Sequence, residues 1–189
     1  GERSFSFARK PGADTKITFE EINRDLLVDT KIFHVGSLSL TDEPARSATF
    51  EAVKIAKEAG AIISYDPNYR APLWENVEKA MEMMRIMSQF ADIMKMSDEE
   101  TSLLTPYNEP LEAANYLVEE GRKLVAVTLG ERGALAVSKQ GYVEVPGFKS
   151  NVVDTTGAGD SFWGGLLARF LIQNVDLDNV STGQMYDIA

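Results

Sequence analysis

The sequence predicts an α/β fold with a mainly parallel sheet, and one strand–helix–strand unit supports that prediction best. Residues 31–35 and 61–65 are short apolar runs typical of strands, and residues 41–60 between them place alanines at helical spacing. Thr41 is expected to cap this helix and Gly60 to end it. Two strands joined by a helix form a βαβ unit, whose strands run parallel through a right-handed crossover.

Two shorter patterns precede this unit. Residues 3–9 alternate polar and largely aromatic side chains, which is typical of a strand with one apolar face. Thr18 and Glu21 have the spacing of a capping box, and Ile22 and Leu26 would share the apolar face of the short helix that follows. We therefore expect a strand and a short helix before the βαβ unit.

Strands and helices continue to alternate along the rest of the chain. Residues 74–87 form a helix whose apolar stripe consists of Val77, Ala80, Met81, Met84 and Met87. The other predicted elements are a strand at 91–96, a helix at 109–120 ended by Gly121, a strand at 124–128 and a hairpin of 134–137 with 142–145.

Composition limits the classes of function. The 189 residues are 44% hydrophobic and 25% charged, the make-up of one α/β-sized domain. A net charge of −10 argues against nucleic acid or an anionic membrane as partners, and no apolar run reaches the length that a bilayer requires. The absence of cysteine excludes disulfides and is compatible with the cytoplasmic location that we expect. His34, the only histidine, is expected to fill a core position rather than a catalytic one.

The stretch from Val152 to Gly165 is the strongest candidate for chemistry. A Gly-Ala-Gly turn at 157–159 leads into an apolar helix, whose first N–H groups lack intrahelical partners and carry the positive end of its dipole. Such a turn can bind an anion, and Asp160 beside it could accept a proton from an attacking hydroxyl. The same residues also suit a tight turn followed by an acid that merely stabilises the helix dipole. Local physics leaves both interpretations open.

Two other glycine motifs fit this turn less well. A phosphate-binding P-loop needs a lysine directly after its last glycine, and Asp160 stands there instead. The dinucleotide-binding fingerprint needs a third small residue where Phe162 stands. Neither motif is predicted.

Asp154-Thr-Thr-Gly-Ala-Gly-Asp160 resembles the second signature of the ribokinase-like (pfkB) carbohydrate kinases at every position. The resemblance implies a three-layer α/β/α ribokinase-like core with the remnant of a small β lid, divided into a lid strand with its loop at 1–14 and a core at 15–189. It also implies that Asp160 is the catalytic base and that Gly157, Ala158 and Gly159 form the anion hole, where Gly157 and Gly159 contact ATP. Asp154 and Thr156 would lie near a monovalent-cation site that could hold K⁺.

Further matches extend this resemblance to the sugar side. The first fourteen residues are similar to the lid strand and loop of fructokinases and of 2-keto-3-deoxygluconate kinases, which implies that Phe7 and Arg9 face the sugar. Asp66, Asn68 and Arg70 follow the second strand of the βαβ unit, in the Asp-x-Asn-x-Arg pattern of fructokinase-like members. Polar residues after a strand often only form a solvated turn. The resemblance instead implies that Asp66 and Asn68 bind the sugar and that Arg70 helps to hold the transferred phosphate.

Matches on the nucleotide side are weaker. The stretch from Ser97 to Glu100 is similar to the family's Asn-x-x-Glu motif, which implies that Glu100 holds Mg²⁺ through water. Ser97 stands where the family motif has Asn. Ser97 and Glu100 also have the spacing of a capping box, which would explain both residues by itself. Lys95 is a plausible ATP phosphate partner. Thr128 and Gly130 lie where the family has a nucleotide-side loop, and the resemblance implies ATP contacts there; a simple hairpin turn would explain the same spacing.

The resemblance, which is closest to fructokinases, implies transfer of the ATP γ-phosphate to a primary hydroxyl of a sugar, with fructose as first choice. One alternative is a 2-keto-3-deoxygluconate kinase, in which Arg9 would meet a carboxylate. Another, of a different class, is a sugar- or nucleotide-binding protein without catalysis. Comparison with the family also suggests that the sequence is a piece of a longer protein, and that it could form a homodimer through its lid.

Overall fold

A computed structural model describes Arg9 and residues 12–189 of this chain. The predicted strand at 3–9, apart from Arg9, therefore lies outside the described residues. The chain divides into two compact units, Gly1–Ala91 and Asp92–Ala189, which are described separately below. In the described part of the chain, no helix is both long enough and apolar enough to cross a bilayer.

The first unit contains the predicted βαβ unit. Strand β1 pairs in parallel with strand β2, and Gly36 at the end of β1 lies in register with Asp66 at the end of β2. The parallel pairing is confirmed. The strands and helices of this unit are α1 (Arg24–Asp29), β1 (Ile32–Gly36), α2 (Ala45–Glu58), β2 (Ile62–Asp66) and α3 (Val77–Ser88).

Helix α2 begins later than the sequence suggested. It starts at Ala45 after Pro44, whose fixed φ and missing N–H suit the start of a helix. The Thr41 hydroxyl donates instead to the carbonyl of Leu38, at 3.1 Å. The prediction that Thr41 caps this helix is therefore wrong, whereas Gly60 has a left-handed φ of 92° just after the helix end, as expected.

The apolar face of α1 is also different from the predicted one. The capping box of Thr18 and Glu21 is present, but it starts only a short 3₁₀ turn. Asn23 then caps α1 separately, its side chain accepting from the backbone N–H of Asp25 at 3.0 Å. Because this second cap shifts the start of the helix, Leu27 is buried, with 4% exposed, while Leu26 is 69% exposed.

Helix α3 and His34 give two further corrections. Asn76 caps α3, so the helix starts at Val77 and not at residue 74, and Val77 is exposed. Met83, Met84 and Met87 form its buried face. His34 is exposed rather than in the core, and its Nδ1 lies 2.9 Å from the Ser64 hydroxyl in a hydrogen bond.

The second unit combines a parallel pair of strands with the predicted hairpin. Strand β3 pairs in parallel with β4, and β4, β5 and β6 pair antiparallel in that order. The elements are β3 (Ile93–Ser97), α4 (Thr101–Leu104), α5 (Pro110–Glu119), β4 (Leu124–Thr128), β5 (Gly133–Ser138), β6 (Gly141–Pro146), α6 (Ala158–Ile172) and α7 (Thr182–Ile188). Helix α6 buries Trp163, Leu166 and Phe170, which recur at helical spacing.

Candidate active site

The Gly-Ala-Gly turn forms the start of α6. Gly157 is the N-cap and adopts a left-handed φ of 76°, which a residue with a side chain rarely takes. The first intrahelical bond runs from Ser161 N to Gly157 O, at 2.8 Å, so the amides of Gly159 and Asp160 precede it at the open helix end. The Ala158 amide donates to the Thr155 carbonyl at 3.1 Å. Of the three predicted anion-binding residues, Ala158 therefore uses its N–H to close the turn.

Asp160 lies in the first turn of this helix, and its side chain is exposed. The carboxylate is therefore accessible to a substrate hydroxyl, as a general base must be. A carboxylate buried among apolar side chains would have contradicted the prediction.

Lys95 lies against this turn. It belongs to β3, where it is buried with 6% exposed. A Cβ atom built on Gly159 would lie 2.9 Å from Lys95 Nζ. Because Gly159 has no side chain, the ammonium group can lie against the turn. A cationic side chain and a helix N-terminus therefore meet at this point. Both features favour a bound anion.

A cavity of about 450 Å³ opens beside the turn. Thr128 and Gly130, both predicted ATP contacts, line it together with Gly159. Thr128 ends β4, and Gly130 has a left-handed φ of 60° in the turn that follows. The structure thus brings these three residues to one cavity, while their contact with ATP stays a prediction.

Sequence reasoning missed the other walls of the cavity. Most come from the β5–β6 hairpin and the segment after it, namely Gly133, Ala134, Val145, Pro146, Gly147 and Phe148, and the others are Phe162 and Ala189, beside Ala158 of the predicted anion-binding turn. One signal was present in the sequence, because Gly133 and Gly147 are the two glycines that flank the hairpin. A Cβ atom at Gly133 would clash with the carbonyl of Val145, and one at Gly147 with that of Glu131.

Glu100 follows β3 and is buried. Its Oε2 accepts the backbone N–H of Ser97 at 2.8 Å, and the complete capping box is present. The described residues contain no group of three or more His, Cys, Asp or Glu side chains that could hold a metal ion. Glu100 thus has a structural partner, and its role toward Mg²⁺ stays a prediction.

Asp154 and Thr156 lie in the exposed segment before α6. Asp154 Oδ1 accepts the backbone N–H of Thr156 at 2.7 Å, which closes a local turn. This geometry fixes the carboxylate beside the start of the Gly-Ala-Gly turn. The proposed monovalent-cation site at these residues stays a prediction.

The sugar-side residues belong to the first unit. Asp66 ends β2 with 3% exposed, and its Oδ1 accepts the backbone N–H of Asn68 at 3.1 Å. Asn68 has a left-handed φ of 46°. The amide of Ser37, directly after β1, donates to the carbonyl of Pro67 at 3.1 Å. The carboxyl ends of the two strands therefore lie at one edge, as their parallel pairing requires.

The two arginines of this side have different surroundings. Arg70 is exposed, and its Nη1 donates to the carbonyl of Tyr69 at 2.9 Å. Arg9 is half-buried, forms an ion pair with Asp14 and donates from Nη2 to the carbonyl of Leu38 at 3.0 Å. Phe7, the other predicted sugar contact of the lid, lies outside the described residues.

Comparison with protein families decides what kind of protein carries this site. Residues 1–180 match the model of the pfkB family carbohydrate kinases. The chain belongs to this family. Its members transfer phosphate to carbohydrates, as the family name states, and the exposed carboxylate beside an anion-binding turn is compatible with such chemistry.

Several of the similar proteins are fructokinases. Fructokinase-2 of Solanum lycopersicum is 45% identical over 180 residues, which are 95% of this chain and 55% of the relative. The fructokinase of Vibrio cholerae O395, solved with fructose, ADP and calcium ion, has a TM-score of 0.86 and 34% identity over 100% of this chain and 59% of its own. The fructokinase of Xylella fastidiosa, solved with bound ATP, has a TM-score of 0.85 and 32% identity, covering 99% of this chain and 60% of its own.

These matches confirm the predicted ribokinase-like α/β fold class. The chain spans about half the length of the curated relatives that it matches. The activity, substrates and partners of the whole protein are therefore proposals.

Proposed function

We propose that this carbohydrate kinase transfers the γ-phosphate of ATP to the 6-hydroxyl of fructose. One observation carries the proposal: the exposed Asp160 carboxylate stands in the first turn of α6, directly after Gly159, which lines a cavity and lies against the Lys95 ammonium. A general base and an anion-binding turn are the two parts that phosphoryl transfer to an alcohol requires. The fructokinases among the relatives support fructose as the acceptor.

In the proposed reaction, Asp160 takes the proton of the sugar hydroxyl. The hydroxyl oxygen then forms a bond to the γ-phosphorus, while the bond from that phosphorus to the β–γ bridging oxygen breaks and ADP leaves. The amides of Gly159 and Asp160 at the open helix end and the Lys95 ammonium stabilise the negative charge of the transferring group. Arg70 contributes its guanidinium to the same phosphate.

The remaining predicted residues have supporting roles. Asp66, Asn68, Arg9 and Phe7 bind the sugar, and Thr128 and Gly130 bind ATP. The buried Glu100 carboxylate holds Mg²⁺ through water, since this ion keeps several of its water ligands. When bound, the ion neutralises charge on the phosphate oxygens. Asp154 and Thr156 hold a monovalent cation such as K⁺. A cytoplasmic location and a homodimer formed through the lid belong to the same proposal.

The surroundings of Arg9 favour a neutral sugar over a sugar acid. A 2-keto-3-deoxygluconate kinase would use the Arg9 charge to bind the substrate carboxylate. Here Nη2 of the guanidinium pairs with the Asp14 carboxylate and with a backbone carbonyl, whereas Nε and Nη1 are buried without a hydrogen-bond partner among the described residues. Because Asp14 already offsets the charge of Arg9, these two N–H groups suit the neutral hydroxyls of a sugar better than a second carboxylate.

A substrate panel tests the proposal. The chain is incubated with ATP and Mg²⁺ and with fructose, other neutral ketoses or 2-keto-3-deoxygluconate in turn, and ADP release is measured. We expect the highest kcat/KM for fructose. A higher kcat/KM for 2-keto-3-deoxygluconate would identify the sugar acid, and not fructose, as the substrate. Calorimetric binding of sugar and ATP without ADP release would favour the non-catalytic alternative.

A further inference from the structure

A second cavity, of about 220 Å³, opens beside helix α5. Five residues line it: Tyr107, Glu112, Asn115, Tyr116 and Glu119. The last four share one face of α5, because residues three, four and seven positions apart lie on the same side of a helix. The proposed phosphoryl transfer assigns no role to any residue of this tyrosine cavity.

The two tyrosine rings lie close enough to share one ligand. Their centroids are 5.9 Å apart, and their planes are inclined by 58°. Tyr107 is 41% exposed and Tyr116 is half-buried, so each ring keeps part of its surface for a ligand. A cation is attracted to an aromatic face within about 6 Å of the ring centroid, and a cation in this cavity can be within that range of both rings.

The segment that carries Tyr107 is fixed to the protein interior. Thr101 and Thr105 are buried, each with 2% exposed. The Thr105 hydroxyl accepts the backbone N–H of Tyr107 at 3.1 Å, and the Thr101 hydroxyl donates to the carbonyl of Asn108 at 3.0 Å. Tyr116 is held by α5 itself. The tyrosine cavity is therefore preformed, and a ligand does not have to order its walls.

The charge of the tyrosine cavity is negative. Glu112 and Glu119 are exposed, and neither forms an ion pair within the part of the chain that the structure describes. Arg122 interacts electrostatically with Tyr116, but it is buried, with 4% exposed, and it lies outside the set of described residues that line the cavity. Two carboxylates beside two aromatic faces favour a positively charged ligand. The net charge of −10 adds a long-range attraction for cations.

We propose that the tyrosine cavity binds an organic cation, an alkylammonium or guanidinium group. The cavity is smaller than the roughly 300 Å³ at which sites for drug-sized ligands begin, so it suits one such group and not a larger molecule. The ring faces contact the alkyl substituents and the positive charge, while Glu112 and Glu119 offset that charge. A free small amine and the end of a lysine or arginine side chain of another protein present the same chemistry.

A pair of ligands with the same shape tests the need for charge. Choline carries a trimethylammonium group, and 3,3-dimethylbutan-1-ol has a neutral tert-butyl group in its place. Each is titrated into the full chain at constant ionic strength, and the backbone amide shifts are followed by NMR. We expect choline to give saturable shifts at residues 107–119 and the neutral alcohol to give none there. Equal binding of the two ligands, or choline shifts scattered over the acidic surface, would overturn the proposal.

Substitutions then test the two kinds of wall. Tyr107→Leu should weaken choline by roughly two- to five-fold, the usual worth of an exposed cation–π contact, whereas Tyr107→Phe keeps the ring and should not. Tyr142→Leu is the matched control, since Tyr142 is an exposed tyrosine of β6. The double variant Glu112→Gln with Glu119→Gln should also weaken choline, and the exposed Glu58→Gln should not. If Tyr107→Leu does not fold, the glutamate variants decide alone. Choline Kd values that are the same in all folded variants would contradict the proposed site.

A third ligand pair identifies the source of the cation. The affinity of methylguanidinium is compared with that of a short peptide that carries one arginine among neutral residues. Tighter binding of the peptide, with amide shifts beyond the tyrosine cavity, would assign the site to a side chain of a partner protein. Equal affinity would assign it to a free small cation. Both results support the site, whereas binding of neither ligand would overturn its guanidinium specificity.

Discussion

The turn after β2 and the turn before α6 each present an aspartate, but the two carboxylates have opposite environments. Asp66 is buried and accepts a hydrogen bond from the amide of Asn68, two residues later. Asp160 is exposed in the first turn of α6. The Asp66 carboxylate stabilises the backbone that carries it in addition to its proposed contact with the sugar, whereas Asp160 is open to solvent and available as a base. Burial and local partners thus give two residues with the same side chain different tasks.

Asp160→Asn should have the largest effect, because the amide cannot accept the proton of the sugar hydroxyl. We expect kcat to fall by about 10²- to 10⁴-fold, the usual contribution of a general base. Fructose affinity should be retained, and stability should change by less than about 1 kcal/mol, since an exposed acid at a helix start contributes little more. Steady-state kinetics, calorimetry and thermal unfolding provide the three measurements.

The matched control for this substitution is Asp187→Asn, which changes another exposed helical aspartate, in α7 and not at the Gly-Ala-Gly turn. It should leave kcat unchanged. A kcat of Asp160→Asn close to that of the control would remove Asp160 from its proposed role and, with it, the distinction between the two turns.

Asp66→Ala should lower the stability of the protein, whereas Asp160→Asn should change it little. The substitution removes the acceptor of the Asn68 amide and should lower the free energy of unfolding by about 1–3 kcal/mol. Asp66→Asn keeps a side-chain oxygen in the same place, so its loss should be smaller. Urea unfolding of both variants measures the difference. Equal stability of Asp66→Ala and the unsubstituted chain would show that the turn does not depend on this carboxylate.

Gly159→Ala tests the space at the anion-binding turn. The added methyl group would lie 2.9 Å from Lys95 Nζ, so the ammonium must move away from the turn. We expect the KM for ATP to rise by roughly ten-fold, since small displacements at a binding site are costly. Gly164→Ala in the same helix is the control, because its Cβ would meet nothing within 4 Å. It should leave KM unchanged and stabilise the helix by about 0.5–1 kcal/mol. Equal KM values for the two variants would show that the added methyl group at residue 159 does not displace the Lys95 ammonium.

The smallest effect is expected for the pKa of Asp176. We compare this residue with Asp160 as an aspartate that has a structural role only. The side-chain amide of Asn179 donates to its Oδ2 at 2.7 Å and the amide of Asp178 to its Oδ1 at 3.0 Å, and these bonds lower the pKa of the Asp176 carboxyl. A carboxyl pKa that is lower in the folded state adds stability above its unfolded pKa, and this stability is lost as pH falls through the folded value. Asn179→Ala should raise the Asp176 pKa toward its ordinary value in an NMR titration. An unchanged pKa would show that the Asn179 bond is not its main cause.

Local features of the chain were predictable because their causes lie within a few residues. The capping box of Ser97 and Glu100, the end of α2 at Gly60 and the start of α6 at the Gly-Ala-Gly turn all depend on short-range hydrogen bonds and backbone preferences. The parallel pairing of β1 with β2 also followed, since a helical crossover allows little else. The motif from Asp154 to Asp160 likewise pointed to the family that the comparisons then established.

Other features were decided only by tertiary packing. Whether Leu26 or Leu27 faces the core depends on which cap starts the helix, and the exposure of His34 depends on what packs on β1. The sequence separates Lys95 from Gly159 by more than sixty positions, and the hairpin walls of the cavity, although nearer in the chain, reach the turn only through the fold. The sequence by itself therefore determined the turn, its acid and the family, because these depend on neighbouring residues. Only the folded chain brought the ammonium group and the apolar wall to that turn, because contacts between distant residues exist only after the strands have paired.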